Sequence, residues 1–121
     1  MRGEKTHVNG TWTRSRYFQF IRSALRAAFN RYPAKFAAKK KAEKIVIGSR
    51  HKYEYQCAQC TEWFMGKEVQ VDHKVPAGSL KEYEDIGEFC RKLFCESTDL
   101  QLLCKPCHQL KTNEERKRAK L

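Results

Sequence analysis

The chain has no apolar run approaching the length of a membrane span, so nothing in it reads as a transmembrane segment. Its opening, Met1-Arg2-Gly3-Glu4, does not resemble a signal peptide. No internal repeat is visible beyond two Cys-x-x-Cys pairs, and 121 residues suit one domain with an appendage. No dimer motif is legible, and a monomer is assumed. Acidic residues are scarce at the start: residues 1–50 hold thirteen Lys/Arg against only Glu4 and Glu43.

What is present is a soluble, folded composition, 40% hydrophobic and 32% charged, with a formal charge of +11. Residues 51–103 reverse the local sign, with six basic against ten acidic residues, and residues 104–121 return to six against two. Two basic ends around an acidic middle suggest arms that track phosphates on either side of a site concentrating carboxylates. Lysine-rich helix faces kept soluble would be the plainer account. An excess this one-sided favours nucleic acid as the partner, with no membrane role.

Six cysteines could form a disulfide framework, but Cys57-Ala-Gln-Cys60 and Cys104-Lys-Pro-Cys107 carry metal-ligand spacing. With no secretory signal, they point to metal in a reducing, cytoplasmic setting. Four thiolates complete a closed structural Zn2+ site. Cys90 and Cys95 lack the two-residue spacing and read as buried thiols outside it.

Thr13 can cap a helix running to about Asn30, with Tyr17, Ile21, Ala24 and Ala28 on its apolar stripe, widened by Phe18, Leu25 and Phe29. Ser15, Gln19, Arg22 and Arg26 share its other face. Pro33 opens a second helix to about Lys44 that contains Lys39, Lys40 and Lys41. Together the two helices read as a basic clamp along a phosphate backbone or as a hairpin covering the core.

Trp12 reads as a packing anchor, and His7 and His51 as surface residues. After Gly48-Ser49, alternation of Tyr53 and Tyr55 predicts a strand into the first cysteine pair, with Trp63-Phe64 as core aromatics on the return. Gly66-Lys67 turns into a second strand carrying Val69, Val71, His73 and Val75 on one parity. Neighbours on a strand face opposite ways, so regular pairing is expected to fail near Asp72 if Asp72 and His73 are to share a site. Residues 80–95 read as a helix with an acidic, solvated face. A basic helix from about Lys105 to Lys120 ends the chain.

His108, directly after Cys107, is surplus to a four-thiolate site, and its comparable partners upstream are Asp72 and His73. One carboxylate and one imidazole, Asp72 and His108, would hold a divalent ion while leaving room for substrate. A neighbouring imidazole, His73, could take a proton from an attacking water. Such a set suits phosphodiester hydrolysis.

The series Cys57-x-x-Cys60, Val71-Asp-His-Lys-Val-Pro76 and Leu100-Gln-Leu-Leu-Cys104-x-x-Cys107-His108-x-x-Lys111-Thr112 resembles the HNH endonucleases with a structural zinc found in tailed bacteriophages. Phe89-Cys-Arg-Lys-Leu-Phe-Cys-Glu96 also looks like phage members. The resemblance covers roughly residues 50–115. It implies an α+β fold: a ββα-metal finger with a four-cysteine zinc site over residues 49–121, preceded by a basic helical extension over 1–48.

It further implies a DNA endonuclease with His73 as general base. Asp72 and His108 would be ligands to Mg2+ or Mn2+, with Lys111 near the phosphate. Asp99 stands where the family usually has asparagine. It could accept a hydrogen bond and make His73 more basic, join the metal shell, or weaken activity. The alternatives are a zinc-bound nucleic-acid-binding protein without cleavage, and a packaging accessory active only with a partner such as a phage terminase. Arg22, Arg26, Lys39, Lys40 and Lys41 are the expected DNA-backbone contacts.

Overall fold

In a computed structural model, which describes residues 3–48, 50 and 52–119, the chain is mixed helix and small antiparallel sheet. The readings of Ser49, of His51 and of a last helix reaching Lys120 lie outside the described residues. Among those described, no helix is long and apolar enough to cross a membrane. Packing divides the chain into two units that each draw on two stretches of sequence: residues 1–32 with 75–95, and residues 33–74 with 96–121.

The first unit is built on α1, Arg14–Phe29. Its start is set by Thr13, whose hydroxyl accepts the Arg16 backbone N–H at 3.1 Å, and Asn30 closes its end. Phe18 and Phe29 are the buried anchors of its apolar stripe, and Ala24 is exposed. Upstream, a tight turn through Val8, Asn9 and Gly10, all at positive φ, brings His7 back to bridge Trp12. His7 is therefore packed, not a surface residue: its ring lies 4.8 Å from that of Tyr17. Trp12 anchors as expected, against Phe20 at 5.5 Å and under the Arg16 guanidinium at 4.6 Å.

A second helix of this unit, α2, spans Ile86–Leu93 and buries Phe89 and Leu93 to 1% exposure each. It is shorter than the sequence suggests. The Asp85 carboxylate accepts the backbone N–H groups of Lys81 and Glu82, at 2.9 and 3.1 Å, and holds a separate tight turn over Tyr83–Asp85. The Phe18 ring meets Tyr83 edge-on at 5.0 Å, and the Tyr83 hydroxyl donates to that of Tyr17 at 3.0 Å.

The second unit opens on α3, Pro33–Lys41, followed by β1 (Glu43–Ile45), β2 (Tyr53–Gln56) and β3 (Trp63–Phe64), which form one antiparallel sheet in that order. The helix stops earlier than expected because Glu43 and Lys44 pair with Tyr55 and Glu54 of β2. The Tyr55 hydroxyl secures the register by donating to Glu43 at 2.9 Å. Phe64 packs on the core, but Trp63 is 38% exposed with the Lys44 ammonium 4.1 Å above its ring, so it is not a core aromatic.

A second sheet pairs β4 (Val69–His73) with β5 (Leu100–Cys104), and β5 leads without a break into α4 (Lys105–Ala119). The pairing is regular from Val69↔Cys104 to His73↔Leu100, and Lys74 N–H continues it onto the Asp99 carbonyl at 3.0 Å. The expected failure near Asp72 does not occur. An apolar partner strand with Leu100, Leu102, Leu103 and Cys104 buried gives the ladder reason to continue to its end.

Truncating a fully buried ring should be costly. Phe89→Ala is expected to destabilise the protein by about 3–5 kcal/mol, and Thr13→Ala, which removes only a helix cap, by about 1 kcal/mol. Urea denaturation followed by circular dichroism measures both.

Candidate metal centre

The first cysteine pair sits on the turn between β2 and β3, and the second spans the end of β5 and the first turn of α4. The two halves meet through the backbone: Ala58 N–H donates to the Leu102 carbonyl at 2.8 Å. The turn closes with Thr61 N–H on the Cys57 carbonyl at 3.0 Å, which needs Thr61 at φ 62°, a conformation a β-branched residue rarely takes. Its hydroxyl donates to the Cys60 carbonyl at 2.6 Å.

All four sulfur atoms, of Cys57, Cys60, Cys104 and Cys107, lie within 4.8 Å of one another. A tetrahedral zinc with bonds of about 2.3 Å sets its sulfurs about 3.8 Å apart. The Cys60–Cys104 separation is 3.9 Å, too long for a disulfide, and none of the six cysteines forms one. These four cysteines form a group that could hold a zinc ion.

The local chemistry suits a cation. Burial pushes the Cys57 thiol up, but backbone N–H groups of Cys104, Cys60 and Gln59 outweigh it and bring it down to about 6. Contact with the Cys104 sulfur, and then burial, push Cys107 up to about 12. Four sulfurs this close cannot all ionise without a positive charge among them, and a divalent ion supplies that charge. Cys90 and Cys95 stand outside the cluster in the other unit, half-buried.

Beside this cluster, Asp72 of β4 faces the first turns of α4. Its Oδ1 lies 3.5 Å from His108 Nε2, and its Oδ2 lies 3.0 Å from Lys111 Nζ. Lys111 also donates to the His73 carbonyl at 2.8 Å and pairs with Glu115. Burial alone would lower the Lys111 ammonium, but the carboxylates of Glu115 and Asp72 outweigh it and raise it above 10.5, the ordinary value. Gln101, directly opposite Asp72 in the ladder, donates to the same Oδ2 at 3.0 Å.

The fold thus brings together Asp72, His108 and Lys111. His73 lies next to Asp72 but on a regularly paired strand, where successive side chains leave on opposite faces. Its carbonyl accepts a hydrogen bond from Lys111. Asp99 is exposed and enters the ladder through its backbone carbonyl. Arg22 and Arg26 lie on α1 in the first unit, with the Arg26 guanidinium 5.7 Å from the Phe89 ring centroid. On α3, Lys39 lies 4.9 Å from the Tyr55 ring centroid, Lys41 contacts Ser97 Oγ at 3.4 Å, and Lys40 is exposed.

Gln101 and Glu115 were not among the expected site residues. Both left a signal. Gln101 interrupts the apolar run of Leu100 to Leu103, and Glu115 follows His108 and Lys111 at helical spacing on one face. Comparisons with family models, curated proteins and solved structures found no match to this chain.

Three outcomes should follow from the sulfur cluster. The purified protein should contain one zinc per chain by elemental analysis, and strong chelation or Cys104→Ser should unfold the second unit, seen as lost circular dichroism. Because ligating thiols must give up their protons, zinc affinity should fall as pH is lowered from about 8 to about 6, which a competitive chelator titration reads.

Proposed function

We propose that the protein is a metal-dependent DNA endonuclease of the HNH type, with zinc on the four cysteines and a Mg2+ or Mn2+ ion on Asp72 and His108. The observation that carries this reading is the approach of Asp72 Oδ1 to His108 Nε2 at 3.5 Å, on the ordered series β4, β5, α4 beside the sulfur cluster. A carboxylate oxygen and an imidazole nitrogen this close would need to approach by only about 0.5 Å to take adjacent positions on an octahedral ion with bonds of about 2.1 Å. The residues are a hard oxygen and a borderline nitrogen, a donor set that such ions accept.

The ion would neutralise the phosphoryl oxygens and ease departure of the 3′ oxygen. His73 takes the proton from the attacking water as the new oxygen–phosphorus bond forms and the bond to the 3′ oxygen breaks; the departing oxygen takes a proton from water and His73 gives its own back to solvent, leaving 5′-phosphate and 3′-hydroxyl ends. Asp72 and His108 fix the substrate's place by holding the ion. Lys111, at the same carboxylate, adds positive charge beside the phosphate. The part given to His73 asks most of the fold, since the ring must reach the water from the last residue of β4. The +11 charge supports backbone contact with DNA, which positions without specifying sequence.

A second reading, a zinc-bound DNA-binding protein without cleavage, is favoured by the 3.0 Å contact of Lys111 with Asp72, which already meets that carboxylate's charge. The two part company in one assay. Zinc-loaded protein should relax supercoiled plasmid in Mg2+ or Mn2+, and His73→Ala should cut about 10²–10⁴-fold more slowly with its zinc content and circular dichroism unchanged. Undiminished nicking by that variant would exclude His73 as base. Salt-sensitive binding with no cleavage in any divalent ion would establish the second reading.

A further inference from the structure

The two oxygens of Asp72 are treated differently. Oδ2 receives two donors, Gln101 Nε2 and Lys111 Nζ, each at 3.0 Å, while Oδ1 is turned toward His108 Nε2. Neither donor can drift easily. Gln101 is held by the ladder opposite Asp72, and Lys111 is braced by the His73 carbonyl and by Glu115 one helical turn on. The Asp72 side chain is 11% exposed, so water offers little competition for Oδ2.

We infer that Gln101 and Lys111 are positioning residues that set cation selectivity, by leaving Asp72 a single oxygen with which to bind a metal ion. This rests on the proposed cation site at Asp72 and His108. Ca2+ favours six to eight oxygens at flexible distances and readily takes both oxygens of one carboxylate. Mg2+ and Mn2+ accept a single carboxylate oxygen and keep water in an octahedron. A carboxylate clamped through one oxygen therefore favours the smaller ions. Lys111 also sets a positive charge against any cation arriving at Oδ2, which a bidentate ion would meet at closest range. Gln101 does the same geometric work without charge, so the two effects can be separated.

The test needs no DNA. Zinc-loaded protein is titrated with Mn2+, free Mn2+ is followed by its electron paramagnetic resonance signal, and Mg2+ and Ca2+ are added as competitors. Gln101→Leu should raise the ratio of Ca2+ to Mg2+ affinity about tenfold, the size of effect seen when a partner of a metal ligand is removed. Lys111→Met should raise the same ratio and also tighten all three ions, because a charge is lost. A ratio unmoved in both variants, with Mn2+ still bound, would overturn the inference while leaving the cation site intact. If Asp72→Asn binds Mn2+ as well as the wild type does, the cation site itself is wrong and the inference falls with it.

Discussion

The second unit depends on bringing four sulfur atoms together from places far apart in the chain. Cys60 and Cys104 are 44 residues apart, yet their sulfurs lie 3.9 Å from each other. Next to them Cys57, Leu103 and Cys104 form a buried cluster, with Phe64 and Cys107 partly covered against it. Closing so long a loop costs entropy that packing must offset. A metal ion on the sulfurs would add to that packing, because its binding free energy is folding free energy. Without it the same four groups work against the fold, since thiolates repel and buried thiols gain little.

The cluster also determines where everything else in the unit can point. Cys104 ends β5 and Cys107 lies in the first turn of α4, so the direction of the helix is tied to the strand through the sulfurs. With α4 placed, His108, Lys111 and Glu115 share the helix face turned toward β4. Register does the rest. Because Asp72 is opposite Gln101, its side chain leaves the sheet on the side of α4. A slip of one residue would put His73 there instead and send the carboxylate the other way.

Much of this was legible in the chain, for local reasons. Thr13 and Pro33 mark helix starts because each does one local job, accepting a free N–H or lacking one. The paired cysteines and the surplus His108 announce themselves by spacing. Other features depended on contacts that no local pattern reports. Glu43 and Lys44 come just after a lysine-rich helix, and nothing in their propensities marks the change. They become strand because Tyr55 and its neighbours pair with them. Trp63 looked like core by size alone, but it lies on a two-residue strand with Lys44 over its face. The evenly paired end of β4 is set by the buried apolar side chains of β5, not by what Asp72 and His73 could do together.

The same distinction separates Gln101 and Glu115 from Asp72 and His108. Groups that could meet a substrate or an ion carry a chemical signature in their residue type. Groups that orient them carry only a position, and that position has meaning once strands are in register and the helix is docked. Asp72 needs them regardless of chemistry, because a carboxylate with 11% of its side chain exposed is costly unless its charge and its lone pairs are met. Lys111 answers the charge, Gln101 answers a lone pair, and Glu115 keeps Lys111 from overbalancing the site. Folding therefore requires this network on its own account. Any chemistry at Asp72 would use a carboxylate whose direction had already been decided by the need to bury it safely.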